Sequence, residues 1–329
     1  MYPTVRAARD RFVLERRGPR PQLDPWRHQD VIVEDELSHL GTIARSATVF
    51  LTGKECPWRC VMCDLWRYTT PHDTPRGAIP AQLAAARAAL SSRRESIGQI
   101  KLYNASNFFD DHAVPESDHA AIVSELHGLD RVIVESHPAL VGTRVDRFLH
   151  ALNTVPAAPR LEVAMGLETA NPEALERLNK GIALEDFAAA ATELRRRSVD
   201  LRVFVLISPP FIPIPEQDRW LCESLDFAFA CGASIVSLIP TRDGNGAMEA
   251  LAASGLYARP DLSDIERSVE LAHQTRRTGR VSVDLWDLER FARCPHCVDS
   301  RRRRLQAINL EQCVRPSVVC DRCGHGQAA

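Results

Sequence analysis

The sequence predicts an α/β protein built on an open, TIM-like (β/α)6 partial barrel, followed by a small cysteine-rich C-terminal extension. From residue 46 onward, short apolar runs alternate about six times with longer segments of helical period, the pattern of βα units joined into a parallel sheet. The runs are apolar nearly throughout, as strands covered on both faces are. Six units also fall short of the eight that close a full barrel.

The expected strands are residues 47–52, 99–103, 131–135, 161–167, 201–207 and 234–239. Helical period is expected over 80–93, 116–127, 143–153, 172–178, 184–197 and 216–231. Asn171 ahead of Pro172 is a helix start, because its side chain accepts from the orphan amides of a first turn that proline is shaped to enter. Gly181 follows a helix end. Residues 1–45 are charged and proline-bearing, with one apolar piece at Val31 to Val33, and are expected to form a wrapping arm with an edge strand. The barrel is assigned to 46–245. The extension, 246–329, is expected to hold a helix over 263–277 and a strand over 281–285 before its cysteines.

The chain has 329 residues, 45% hydrophobic and 26% charged, which places it among globular proteins able to fold without disulfides. A net charge of −2 gives no global attraction to nucleic acid or to an anionic membrane. No apolar stretch of signal length follows Arg6, Arg9 and Arg11, and the strongly apolar runs are far shorter than a bilayer of about 30 Å requires. A cytoplasmic protein without a membrane partner is expected. Of ten cysteines, eight fall in two groups. In a reducing compartment, grouped thiols read as metal ligands. Cys222 and Cys231, standing apart, read as small buried hydrophobes.

The first group is Cys56, Cys60 and Cys63, a C-x3-C-x2-C spacing directly after the first barrel strand. A [4Fe–4S] cluster is closed by four thiolates, so three on one loop leave one iron for another ligand. A zinc knuckle is the plainer alternative. It requires a fourth ligand, and the next histidine, His72, lies at no familiar spacing.

The string Cys56-Pro57-Trp58-Arg59-Cys60-Val61-Met62-Cys63 resembles the fingerprint of the radical S-adenosylmethionine (SAM) enzymes. The resemblance implies a cluster on the three cysteines, SAM on the open iron, and Met62 beside the SAM adenine. The second strand ends in Tyr103-Asn104-Ala105-Ser106, where the family has a glycine-rich turn for the SAM amino group. The glycines are missing here, and Asn104 and Ser106 are left to supply the hydrogen bonds or simply to end the strand in a polar turn. Glu135-Ser136-His137-Pro138 resembles an element of the clade related to the elongator catalytic subunit. Gly166-Leu167-Glu168-Thr169, with Leu178-Asn179-Lys180-Gly181 after it, resembles another. Together with the cysteine loop these place Glu135 and Glu168 as SAM or substrate contacts; taken singly, each is more often a cap or a surface ion pair. No hydrolytic triad, phosphate loop or dinucleotide fingerprint is present, and no catalytic acid or base is assigned.

The second group, Cys294, Cys297, Cys320 and Cys323, forms two C-x2-C knuckles resembling a zinc ribbon. Cys313 between them keeps an auxiliary iron–sulfur cluster open, His296 and His325 keep mixed ligation open, and a redox dithiol is a further alternative. The run Arg301 to Arg304 is either a phosphate contact or a solvated helix face.

Together with Thr52-Gly53-Lys54-Glu55 and Met62-Cys63-Asp64-Leu65-Trp66, these strings are most similar to the radical SAM subunit family of archaeosine synthase. That resemblance implies reductive cleavage of SAM and hydrogen abstraction in nucleobase or tRNA modification. It also implies a partner enzyme and an electron donor such as flavodoxin or ferredoxin. The alternatives are radical SAM chemistry on a small metabolite or peptide, and a non-enzymatic iron–sulfur or zinc protein.

Overall fold

The computed structural model describes residues 1–274 and 279–326, and its centre is an eight-stranded sheet in which sequence neighbours lie side by side. The strands are β1 (Asp30–Leu37), β2 (Ile43–Phe50), β3 (Gln99–Tyr103), β4 (Arg131–Glu135), β5 (Arg160–Glu168), β6 (Asp200–Ile207), β7 (Ile235–Pro240) and β8 (Arg280–Val283). β1 and β2 form an antiparallel hairpin, and every later pair is parallel. The helices are α1 (Arg6–Leu14), α2 (Ala78–Ser92), α3 (His119–Ser124), α4 (Thr143–Leu152), α5 (Pro172–Arg177), α6 (Leu184–Arg196), α7 (Gln217–Ala230), α8 (Ala247–Ala253), α9 (Leu262–Gln274) and α10 (Val298–Glu311).

The six expected barrel strands are β2 to β7, and the sheet gains one strand on each flank. The apolar piece at 31–33 is the middle of β1, and the run at 281–285 supplies β8. Sheet hydrogen bonding therefore passes through the sequence divisions at 45 and 245. The helix expected over 263–277 is α9, with residues 275–277 outside the described residues. Asn171 caps α5 as its sequence implies, its side chain accepting from the Ala174 amide at 2.9 Å.

Strand side chains alternate between two faces. The outward set, including Val49, Leu102, Val134, Val163, Val203 and Val236, packs with Leu83, Phe148, Phe187 and Leu225 of the helices into one core. The inward set corrects the expectation of strands apolar on both faces. At the base of the half-barrel Arg131 pairs with Glu162 at 2.9 Å and Asp200 at 2.6 Å, Arg202 pairs with Glu162 at 2.7 Å, and Lys101 bonds Glu34 at 3.0 Å. Two residues further along, the inward positions turn aromatic. Phe50, Tyr103, Phe204 and Trp286 meet edge to face around Ile133 and Ala164. Beyond them, at the C-terminal ends of the strands, are Asn104, Glu135 and Glu168. The charges are tolerated at the base because each has an ionic partner there.

α10 packs against both β1 and β8, the two outer strands. The chain thus fills the open side of the half-barrel with a helix.

Candidate functional site

The cysteine loop leaves β2 under firm control. Thr52 N–H donates to Gln82 Oε1 at 2.8 Å, and backbone bonds join Glu55 N–H to Thr70 O at 2.9 Å and Val61 N–H to Leu178 O at 2.9 Å. Asn245, following β7, donates from Nδ2 to Val61 O at 2.8 Å and to Cys63 O at 3.3 Å. The N-terminal arm grips the same loop: Arg17 bonds Glu55 at 2.7 Å, Arg20 also bonds Glu55, and Asn179 bridges Asp10 at 2.7 Å and Arg59 O at 2.9 Å. Cys56, Cys60 and Cys63 are half-buried on this loop. Burial raises all three thiols, Cys60 to about 12; a charge on Cys56 would raise Cys60 further, charges on Cys56 and Cys60 would raise Cys63, and the Asn107 hydrogen bond and the Lys180 charge oppose the rise at Cys56. Thiols arranged so are stable as thiolates only beside a cation.

Asn107 ties this loop to the next strand ends. Its Nδ2 donates to Cys56 Sγ at 3.3 Å, and its Oδ1 accepts from His137 N–H at 2.7 Å. The His137 ring stacks on Trp58 with centroids 3.6 Å apart and planes 13° from parallel. Its Nδ1 accepts from the Ala139 amide at 3.2 Å, which leaves Nε2–H to donate to Lys180 O at 3.1 Å. Burial and the Lys180 charge hold His137 down at about 3, so the ring is neutral.

Glu168 terminates β5 at a register shift after Gly166 and takes a left-handed φ of +68°, a strained turn that aims its carboxylate inward. There it meets Lys180 at 2.7 Å, both residues being buried. Gly166 makes room for that pair: a Cβ at this position would stand 2.2 Å from Glu168 Oε1 and 2.6 Å from Lys180 Nζ. Glu135 lies in the same mouth, and burial raises it to about 8, with Lys180 opposing the rise and Glu168 adding to it. It is therefore protonated at neutral pH and can donate a hydrogen bond. Asn104 is fully buried with neither amide atom bonded, and the buried Ser106 Oγ also has no partner. Met62 is half-buried beside the Val61, Leu178 and Phe211 cluster.

The cysteine triplet and Asn104, Ser106, Glu135 and Glu168 thus stand on the loops and strand ends of one barrel mouth. Lys180, Asn107 and Asn245 bond to Glu168, Cys56 and the cysteine-loop backbone respectively, and the sequence alone does not mark them. Lys180 sits in the string Leu178-Asn179-Lys180-Gly181, and nothing in a string separates a buried lysine from an exposed one.

The tail forms a separate site. The thiols of Cys294, Cys297, Cys320 and Cys323 all lie within 4.8 Å of one another, Cys297 and Cys323 at 3.9 Å. Backbone amides of Cys323 and Arg322 lower Cys320 to about 7, as a metal knuckle does. Cys313 and His296 are exposed and outside this group, and the half-buried His325 also lies outside it, its Nε2 3.2 Å from Glu266. Half of the arginine run is closed to an outside phosphate: Arg301 and Arg304 are buried on Glu266 and Glu270, at 2.7 and 2.5 Å respectively, while Arg302 bonds Glu289 at 2.5 Å and Arg303 lies on the exposed helix face.

No family model matches the sequence. The chain is 23% identical over 272 residues to an uncharacterized protein of Methanocaldococcus jannaschii, covering 78% of this chain and 72% of that protein. It is 26% identical over 247 residues to archaeosine synthase subunit beta of Methanosarcina acetivorans, covering 71% and 69%. Among solved structures, Elp3 of Methanocaldococcus infernus superposes with a TM-score of 0.50 at 12% identity, covering 63% of this chain and about half, 52%, of that one. The chain therefore shares the fold of that Elp3 structure over about two thirds of its own length and is similar in sequence to archaeosine synthase subunit beta.

Proposed function

We propose that the protein is a radical SAM enzyme whose cluster is a [4Fe–4S] centre on Cys56, Cys60 and Cys63. The observation that carries this is the meeting, at one barrel mouth, of three thiols with buried polar groups that have no protein partner. A buried amide left unbonded costs on the order of 1–3 kcal/mol, so Asn104 and Ser106 fit a polar ligand beside the cysteine loop. When bound, the reduced cluster and SAM supply one-electron C–S cleavage and a carbon radical that abstracts hydrogen. The chain's own residues bind and orient. Asn104 and Ser106 take the polar end of SAM, Met62 packs near its adenine, and Lys180, held by Glu168, faces a carboxylate. Protonated Glu135 donates to a neutral oxygen. The aromatic layer of Phe50, Tyr103, Phe204 and Trp286 excludes water from below.

Similarity to archaeosine synthase subunit beta supports a nucleobase in tRNA as substrate and a partner enzyme; reduction of the cluster itself calls for an external one-electron donor such as flavodoxin or ferredoxin. The aromatic layer offers a flat surface on which a base can stack. Burial of Arg301 and Arg304 favours a second reading, a small metabolite or peptide, because it removes one phosphate contact. Binding of tRNA with an affinity that falls steeply with salt supports the first reading, and its absence the second. No helix among the described residues is long and apolar enough to cross a membrane, in keeping with a cytoplasmic site of action. In the tail, the four-thiol site takes a structural zinc ion.

Anaerobically reconstituted protein, reduced in the presence of SAM, is expected to yield 5′-deoxyadenosine. None formed under any reductant overturns the enzyme reading. Gly166→Ala, which intrudes on the Glu168–Lys180 pair, is expected to weaken SAM binding at least tenfold while the far-UV circular dichroism stays unchanged. Calorimetric titration with SAM measures it, and wild-type affinity would remove the pair from the site.

A further inference from the structure

A half-barrel that ends on a parallel strand leaves a row of peptide groups unpaired along its last edge. Here that edge is β8, and its partners are side chains. Val281 N–H donates to Gln312 Oε1 at 2.8 Å, and Gln312 Nε2 donates back to Val281 O at 2.8 Å. Val283 N–H donates to Asn309 Oδ1 at 2.8 Å, and Asn309 Nδ2 returns to Val283 O at 2.9 Å. A primary amide carries a donor and an acceptor, as a peptide group does. Two of them three residues apart at the end of α10 thus stand in for a ninth strand. Leu305 and Ile308 of the same helix enter the main core, and Arg280 reaches across to Leu37 O of β1. α10 is the stave that closes the barrel between β8 and β1.

This stave is poorly held by burial alone. Only Leu305 and Ile308 among its side chains are both apolar and fully buried, while Arg301 and Arg304 enter the interior as ions on Glu266 and Glu270. Its flanks are fixed otherwise. Cys297 immediately precedes the helix, with Cys294 in the same knuckle, and Cys320 and Cys323 lie beyond its far end. Joining the two knuckles ties the segment containing α10 into a loop. Four ligand atoms within 4.8 Å of one another have a centre at most about 2.9 Å from each if tetrahedral. One zinc ion at about 2.3 Å, which sets its sulfurs about 3.8 Å apart, fits that space and matches the 3.9 Å between Cys297 and Cys323. Four irons with their sulfides do not fit.

We propose that a single zinc ion on Cys294, Cys297, Cys320 and Cys323 is the fastening that keeps α10 in the barrel's open side. The proposal rests on the zinc reading above and adds what the metal is for. The test is metal analysis joined to residue-resolved hydrogen exchange on the full-length, anaerobically purified protein. Wild type is expected to hold one zinc ion per chain in addition to the cluster iron. In a Cys320→Ser, Cys323→Ser variant zinc is lost, iron is kept, and exchange at the Val281 and Val283 amides rises at least tenfold, while Val132 and Val163 in β4 and β5 stay protected. Iron and sulfide in place of zinc would overturn the metal assignment. Zinc lost with β8 exchange unchanged would overturn the fastening alone. Should the variant not fold, graded removal of zinc from wild type with a chelator decides: exposure of the β8 edge before β4 and β5 supports the fastening, and opening of the whole sheet at once refutes it. Asn309→Ala, with zinc retained, is expected to speed exchange at Val283 alone.

Discussion

Cys60→Ala reduces bound cluster iron and 5′-deoxyadenosine formation to background, while the metal of the tail stays at one ion per chain. Removing one of three thiolates leaves two irons without protein ligands, and the loop carries no fourth thiol to replace it. The loop itself should survive, since Asn245, Leu178 and Thr70 hold its backbone without using the sulfurs. The measurement is iron, sulfide and zinc content of protein purified without oxygen, set beside the yield of 5′-deoxyadenosine. Cleavage at the wild-type rate would remove Cys60 from the ligand set. Loss of both metals together would show that the two sites do not fold independently.

The second large effect is expected from Lys180→Met. Glu168 would then keep a buried carboxylate on a strained turn with its cation gone, and breaking a buried pair from one side costs about 3–5 kcal/mol. A fall of that size in denaturant stability is expected, together with loss of SAM cleavage. Adding Glu168→Gln removes the orphaned charge, so the double variant should regain most of the stability and none of the cleavage. Chemical denaturation followed by circular dichroism reads the first quantity, and product yield the second. A single variant as stable as wild type would mean that water reaches Glu168 freely. A double variant that cleaves SAM would reduce the pair to a purely structural role.

What the sequence made legible is what is local in the chain. Three cysteines within eight residues are visible as a spacing, and so are two C-x2-C knuckles, because the metal needs them close and the loop supplies the closeness. The βα rhythm is equally local, which is why β2 to β7 stand where expected. Contacts between distant segments were hidden. Asn107, His137 and Trp58 come from three different strand ends, and Asn245 reaches the cysteine loop from more than 180 residues away. The charged base of the barrel has no plain sequence signature because Lys101, Glu162 and Arg202 each interrupt an apolar run only once and Arg131 stands at the start of one. A single charge in such a run reads as a solvent-facing position. The run Arg301 to Arg304 looks the same whether it faces water or Glu266, and only the fold shows that two of the four face Glu266. Among the described residues, side-chain amides of a helix stand where a strand after β8 would pair, an arrangement without a sequence signature.

The grip of the N-terminal arm and of Asn245 on the cysteine loop has a consequence for biosynthesis. Tyr2 bonds Arg177 O at 2.6 Å across 175 positions, and Asn245 holds the carbonyls of Val61 and Cys63. The thiols of the first group leave the ribosome early, yet the elements that shape their loop are complete only once the chain has grown past residue 245. At about 5–20 residues per second that interval is roughly 10–35 s. During it the three cysteines lack the contacts that shape their loop, so a cluster bound there would be received by an almost finished barrel, and the thiols would have to be kept reduced until then.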